Sequence, residues 1–343
     1  MCHVQLFMRL KQAQHQKRPD LSALISSHRA IGCFNFDQDR SSMGSSLNSL
    51  NIQFLLHLPD HSSTMKVLAV RILIGLHRHP IRFLIESGVA FAAGWSLIEP
   101  LQAMLAAPVQ GTSRFLALAL MAVVVGIARV TPVNRMTALI PGTTTRLTIA
   151  FQDLFEAEGV IAVPVNEFFD SVIGPHVSHL SIHGQVIKRF YNGNSDMFDK
   201  AVDLSLYSIP YEDVHRNSGR TRKFSLGTAA FLDTGRTSIL AFVLAETDLL
   251  TLKARADVPR LIGALDGLWE AARIHCNDAT LSVPLIGGGL SGICLSPQQL
   301  LSTIVMSAAS VSRQNRICTD IHICLLSKYR TDIDIESALS LII

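Results

Sequence analysis

The stretch "SVPLIGGGLSGI", Ser282 to Ile293, joins a short apolar run to three consecutive glycines, then a leucine, a serine and a fourth glycine. Beyond it, "SPQQLLSTIVMSAASVSRQ" reads as a helix opening at Ser296-Pro297. Strand, glycine loop and helix in that order put the loop at the carboxyl end of a strand, where layered α/β sheets bind their ligands. Glycine admits positive φ and lets a ligand approach the backbone closely. The N–H groups of Gly287, Gly288, Gly289, Leu290, Ser291 and Gly292, with the helix start behind them, would form a cradle for an anion. A phosphate or diphosphate is the natural guest. No Lys-Ser/Thr follows the glycines, so this is not a Walker loop, and it falls too late in the chain for the first turn of a dinucleotide fold. The plain alternative is a tight turn that holds nothing.

Outward from the loop, strands and helices alternate. "RLTIAFQ", "GVIAVPVNEFF", "KFSLGTAAFLDT", "SILAFVLAET", "TLSVPLIG" and "DIHICLL" have strand character. "DMFDKAVDLSLYSI", the amphipathic "VPRLIGALDGLWEAARIHC" and a final "DIDIESALSLII" have helical character. The pattern predicts an α/β domain with a mixed sheet over residues 141–343.

Upstream the composition changes. Apolar residues make up 48% of the 343-residue chain and charged ones 17%, with mean hydropathy +0.32, and the excess is concentrated in two segments. "IRFLIESGVAFAAGWSLIEPLQAMLAAPV" carries only Arg82, Glu86 and Glu99 as charges, and "FLALALMAVVVGIARVTPV" only Arg129. A bilayer needs about 20 mostly apolar residues per helix. The expectation is a transmembrane hairpin within residues 65–140, with spans at about 83–107 and 115–133. Gly88, Ala92, Gly94 and Gly126 would let the two helices approach closely. A buried helical pair in a soluble bundle is the alternative, and Glu99-Pro100 counts against a simple span. Arg71, Arg78 and Arg82 precede the pair and Arg129, Arg135 and Arg146 follow it, while the turn carries only Arg114; both ends then face the cytoplasm. Residues 1–64 keep no helix or strand period for long, and read either as a disordered tail or as sequence upstream of a start at Met65.

A net charge of +3, without a Lys/Arg stripe interleaved with aromatics, gives no footprint for nucleic acid. Six cysteines without a CxxC pair argue for free thiols rather than a disulfide framework or zinc site. His176, His179 and His183 lack a second ligand cluster with metal-binding spacing, so no metal is expected.

Four ordered motifs, "NEFFD", "SIHGQ", "SLGT" and "PLIGGGLSG", resemble the divergent macro domain of the Thoeris ThsA family over roughly residues 146–330. The two-span hairpin ahead of the domain is also similar to the transmembrane–macro arrangement of that family. The resemblance implies a macro-domain-like mixed sheet sandwiched by helices. It implies an antiphage effector of the bacterial inner membrane, whose ligand is an ADP-ribose derivative made by a TIR-domain partner and which acts by assembly of several copies to disrupt the membrane. No other cofactor is implied.

Within that resemblance the glycine loop is expected to meet diphosphate and ribose. Asn166 corresponds to the family's loop asparagine and could reach a ribose, or could cap its turn. Asp153 falls where macro domains place an acceptor for the adenine amino group. Gly227 and Thr228 frame the pocket or are plain strand residues. Glu167, with Asp170, could meet a cationic group on the ligand or sit as solvated loop charge, and His183 has a place at the pocket through "SIHGQ". Macro domains can also hydrolyse ADP-ribosyl linkages. Here Glu167-Phe168-Phe169 follow Asn166 in place of the Asn-Ala-Ala-Asn pattern, so a receptor without catalytic residues is the leading expectation and a membrane-tethered hydrolase the alternative.

Overall fold

The computed structural model describes residues 63–105, 111–276, 279–289 and 292–343. The expectation for residues 1–64 lies outside the described residues, except that Ser63 and Thr64 begin a helix.

Strands β1 (Arg135–Leu139), β2 (Arg146–Phe151), β3 (Val160–Asn166), β6 (Ala229–Asp233), β7 (Ser238–Thr247), β8 (Ala254–Arg255), β9 (Leu281–Pro284) and β10 (Asp320–Leu325) form one sheet, and β4 (Glu212–Asp213) pairs with β5 (Arg222–Lys223) as a small hairpin. The strand order is β1-β2-β10-β9-β3-β7-β6, with β8 also on β7. Strands β2, β10, β9, β3 and β7 run parallel. Antiparallel β1 and β6 close the two edges.

Parallel strands are buried on both faces and read as continuous apolar runs, which "VIAVPV" in β3 and "ILAFVL" in β7 supply. One face packs under α6 (Val258–His275), α7 (Pro297–Gln314) and α8 (Ile335–Leu339) through Leu265, Trp269, Leu301 and Leu339. The other packs under α4 (Ile182–Phe190) and α5 (Ser195–Ser205) through Val186, Ile187, Phe198 and Val202. Alternate residues of β3 serve the two cores: Val160 and Ala162 the first, Ile161 and Val163 the second. The result is three layers, with the sheet in the middle.

Strand β9 is short. Its ladder with β3 covers only Val160–Leu281 and Ile161–Ser282, after which the two strands part towards their carboxyl ends. Pro284 ends β9, and Pro164 in β3 has no N–H to extend a ladder on that side. The loop after β3 and the glycine loop after β9 therefore leave the carboxyl edge of the sheet from strands that no longer pair.

Ahead of the sheet lie α1 (Ser63–Arg78), α2 (Pro80–Leu105) and α3 (Gly111–Val130). The helix α1 was not foreseen from the sequence. Backbone bonds His79 N to Gly75 O at 3.0 Å and Phe83 N to His79 O at 2.9 Å carry the helical ladder across the junction. Helices α1 and α2 are thus one helix bent at His79-Pro80, where proline withholds a donor. Pro80–Ile98 and Gly111–Val130 are long and apolar enough to cross a membrane. Ile81, Leu84, Ile85, Val89 and Leu97 on α2, and Leu116, Leu120 and Val124 on α3, are exposed. The pair meets at Gly126, where a Cβ would collide with Ser87 Oγ and lie 3.0 Å from the Phe83 ring. Gly126→Leu is expected to part the hairpin while leaving each helix formed: in detergent, helicity by circular dichroism stays constant and the SDS fraction that unpairs the helices falls.

Candidate functional site

The site is built at the carboxyl ends of the parallel strands. After β9 the chain turns at Gly287, whose φ is +87°, a conformation that suits glycine. At Gly288 the reason is space: a Cβ would stand 2.9 Å from Tyr329 Oη and 3.1 Å from Leu285 Cδ2. Tyr329 donates its hydroxyl hydrogen to Gly288 O, and Gly288 N donates to Leu285 O at 3.2 Å. Around Gly289 there is open space. Leu290 and Ser291 lie outside the described residues, and Gly292 is exposed with φ +70°.

The start of α7 contributes less than its position suggests. Ser296 Oγ accepts from Gln299 N at 3.3 Å, and Gln299 Oε1 accepts from Ser296 N at 2.9 Å. This capping box satisfies two of the first-turn donors, and Pro297 at the first helical position has no N–H. Any anion must therefore be met chiefly by the glycine backbone.

The loop after β3 holds a network of buried polar side chains, although Ser171 Oγ and Arg216 Nε within it have no hydrogen-bond partner among the described residues. Asn166 Nδ2 donates to Asp170 Oδ2 at 2.8 Å and to Thr247 Oγ1 at 2.9 Å, and Asn166 Oδ1 accepts from Asp170 N at 3.0 Å. Both amide hydrogens are engaged, so Asn166 shapes its loop and has none left for a ribose. Both Glu167 carboxylate oxygens accept from Thr247 N at 3.0 Å, and burial raises the Glu167 pKa against the pull of those bonds. The carboxylate is neither a solvated charge nor open to a ligand. It docks its loop onto the end of β7.

Asp170 is paired with Arg216 in a two-pronged contact, Nη1 to Oδ1 and Nη2 to Oδ2 at 3.0 Å each. Their side chains are 1% and 2% exposed. Arg220 N adds a bond to Asp170 Oδ1 at 2.9 Å, and the Arg216 guanidinium lies 3.9 Å from the Phe168 ring centroid. Phe169 is buried with φ +52°, its N–H donating to Asn166 O at 3.1 Å and its ring in edge contact with that of Phe224. Arg216, Thr247 and Tyr329 carry no motif in the sequence, and only the fold brings them to this end of the sheet.

His183 lies in the first turn of α4, buried, its ring 5.1 Å from that of Phe198. Burial lowers its pKa to about 4, partly offset by the Asp170 charge. Gly227 sits in the turn before β6, with φ +79° and its Cα pressed against Gly267 of α6. Gly227 N donates to Val243 O at 3.0 Å, and Thr228 follows, half-buried. Asp153, just past β2, caps the 3-10 turn Leu154–Glu156 by accepting from Phe155 N at 3.0 Å. Its carboxylate stays 40% exposed, 4.0 Å from Arg189.

A mixed sheet layered between helices, with the glycine loop at its carboxyl edge, is macro-domain-like. The profile of the family described as "Thoeris protein ThsA, Macro domain" matches residues 147–326, and the chain belongs to that family. Among solved structures, it is similar to a variant macrodomain of Oceanobacillus iheyensis determined with ADPR. That likeness has 13% identity and a TM-score of 0.43, covering 60% of this chain and 97% of the other. It is also similar to a Trypanosoma brucei macrodomain in complex with ADP-ribose, at 8% identity and a TM-score of 0.37, covering 54% of this chain and 66% of the other. No curated protein matches the chain.

Two measurements test this geometry. Asp170→Ala would leave Arg216 buried without its partner, and is expected to cost about 3–5 kcal/mol in denaturant unfolding. For His183, the unfolded state takes up a proton below about pH 6.5 while the folded state stays neutral down to about 4. Stability is therefore full above pH 6.5 and falls as pH drops through that window, by about 2 kcal/mol at pH 5. In thermal melts, His183→Phe should lessen the decline between pH 7 and pH 5 relative to wild type.

Proposed function

We propose that this chain is a membrane-anchored receptor of bacterial antiphage defence. Its macro domain binds an ADP-ribose-derived nucleotide made by a TIR-domain partner, and its helix pair carries the response to the inner membrane through assembly of several copies. The observation that carries the reading is the glycine loop: Gly287 has a positive φ that suits glycine, a Cβ at Gly288 would crowd Tyr329 and Leu285, and Gly289 faces open space. Membership of the ThsA macro-domain family supports the nucleotide class and the defence role. The exposed apolar faces of α2 and α3 support the anchor, and the flanking arginines support an orientation with both ends of the hairpin in the cytoplasm.

In this reading the backbone of residues 287–292 receives the diphosphate, and Asp153, whose carboxylate is exposed just past β2, accepts from the adenine amino group. Asn166, Glu167 and His183 support the pocket from behind. Glu167 and Asp170 are committed to Thr247 and Arg216, which favours binding without turnover over hydrolysis.

The test is calorimetry on the full chain in lipid nanodiscs with ADP-ribose and its cyclic and amino-acid-conjugated derivatives. Micromolar or tighter binding is expected for at least one of them, with the ligand recovered intact. Gly289→Glu fits the open space at that position but sets a carboxylate against the diphosphate. It should weaken binding by about tenfold or more, because juxtaposed like charges are costly, with an unchanged melting temperature. Consumption of the ligand would overturn the receptor in favour of an enzyme, and absence of binding to every derivative would overturn the site.

A further inference from the structure

Tyr329 to Glu336 run from beneath the glycine loop to the bend between α1 and α2. At the loop end, the Tyr329 hydroxyl donates to Gly288 O. A second tie lies at the start of α7, where Gln298 Nε2 donates to Asp334 O at 3.2 Å and Gln298 Oε1 accepts from Asp334 N at 2.7 Å. At the helix end, Arg78 Nη1 donates to Ile333 O at 3.0 Å and Nη2 to Arg330 O at 3.1 Å, with Thr331 O also in its grip. One turn further on, Arg82 Nη1 lies 3.5 Å from Glu336 Oε2. Arg330 donates to Asn134 Oδ1, in the linker between α3 and β1. The segment between these ties is stiff, because Ile333 and Ile335 are buried in the core and Ile333 N donates to Tyr329 O at 3.0 Å.

We propose that Tyr329–Glu336 is a strap coupling the glycine loop to the bent helix, with Tyr329 as the positioning residue at the loop and Arg78 as the anchor at the bend. It rests on reading the loop as the ligand site and assigns that site its route to the helices. The physical basis is the planar trans peptide, in which Gly288 C=O and Gly289 N–H point in opposite directions. By holding the carbonyl, Tyr329 turns the Gly289 N–H away from itself. An anion accepting from that N–H polarises the same peptide unit and strengthens the Tyr329 bond, since hydrogen bonds in series reinforce one another. Ligand and strap then stabilise each other, and the coupling must act in both directions. Loosening the bend loosens the loop.

That reciprocity allows a test without ligand. In the full chain in nanodiscs, Arg78→Gln is expected to speed amide hydrogen exchange across residues 285–295 by fivefold or more, although Arg78 touches none of them. Tyr329→Phe should do the same, and the double variant should add little beyond Tyr329→Phe alone, because both act along one path. Exchange in β6, at the far edge of the sheet, should not change. Loop exchange at the wild-type rate in Arg78→Gln would overturn the strap, as would additive effects in the double variant. Should β6 exchange rise as well, signalling general unfolding, Arg78→Lys replaces it: the ammonium keeps the charge but not the fork that grips three carbonyls, and a smaller rise confined to the loop is expected, with no rise overturning the strap. A protein that passes this test yet binds no ADP-ribose derivative would refute the function proposed for the loop and leave the coupling standing.

Discussion

Five parallel strands side by side cannot face water, and most of this structure follows from that constraint. A parallel sheet must be covered on both faces, so the chain supplies α4 and α5 on one and α6, α7 and α8 on the other. Each crossover returns the chain to the same end of the sheet, and so gathers the loops after β2, β3, β7, β9 and β10 at the carboxyl edge. Asp153, Asn166, Glu167, Thr247, the glycines and Tyr329 come from those loops and strand ends. The early end of the β3–β9 ladder then leaves two of them without a shared ladder beneath.

The loops after β3 and β9 solve different problems. The loop after β3 carries buried charge, and charge inside a protein is costly unless paired and hydrogen-bonded. Asp170 with Arg216, and Glu167 with the end of β7, meet that cost internally. This loop therefore turns its charge inward. The glycine loop is made of backbone, and its amide groups offer directed partial charge without the desolvation of an ionised side chain. Its geometry depends on Tyr329, which belongs to the segment that the helix bend grips. A loop without side chains of its own has its shape set by whatever holds its carbonyls.

Much of the fold was legible in the sequence because burial and periodicity are local signals. The apolar runs of β3 and β7, the amphipathic α6 with Pro259 in its first turn, and the strand–glycine–helix order around Gly288 could all be read directly. The strand β1 was harder: "RMTAL" is short and alternates between exposed and half-buried positions at an edge. Helix α1 was missed because the run from Met65 read as a start of the chain rather than as an element, whereas it is helical and its ladder continues across His79-Pro80. For the site, the sequence left Asn166 and Glu167 open between ligand contact and a plain loop role, and gave His183 a place at the pocket. It could not state that Thr247, eighty residues away, would bond to the first two.

The sequence by itself determined the classes of element, the layered α/β domain behind two apolar helices, and a glycine loop at the carboxyl end of a strand. These rest on hydrophobic period, chain length and the conformational freedom of glycine, all carried by neighbouring residues. Only the tertiary structure decided which polar groups remain available and what the loop is joined to. Arg78 meets the carbonyls of Arg330 and Ile333 across some 250 positions of chain, and Tyr329 meets Gly288 across 41. Such contacts depend on packing, which brings together residues whose local sequences carry no record of one another.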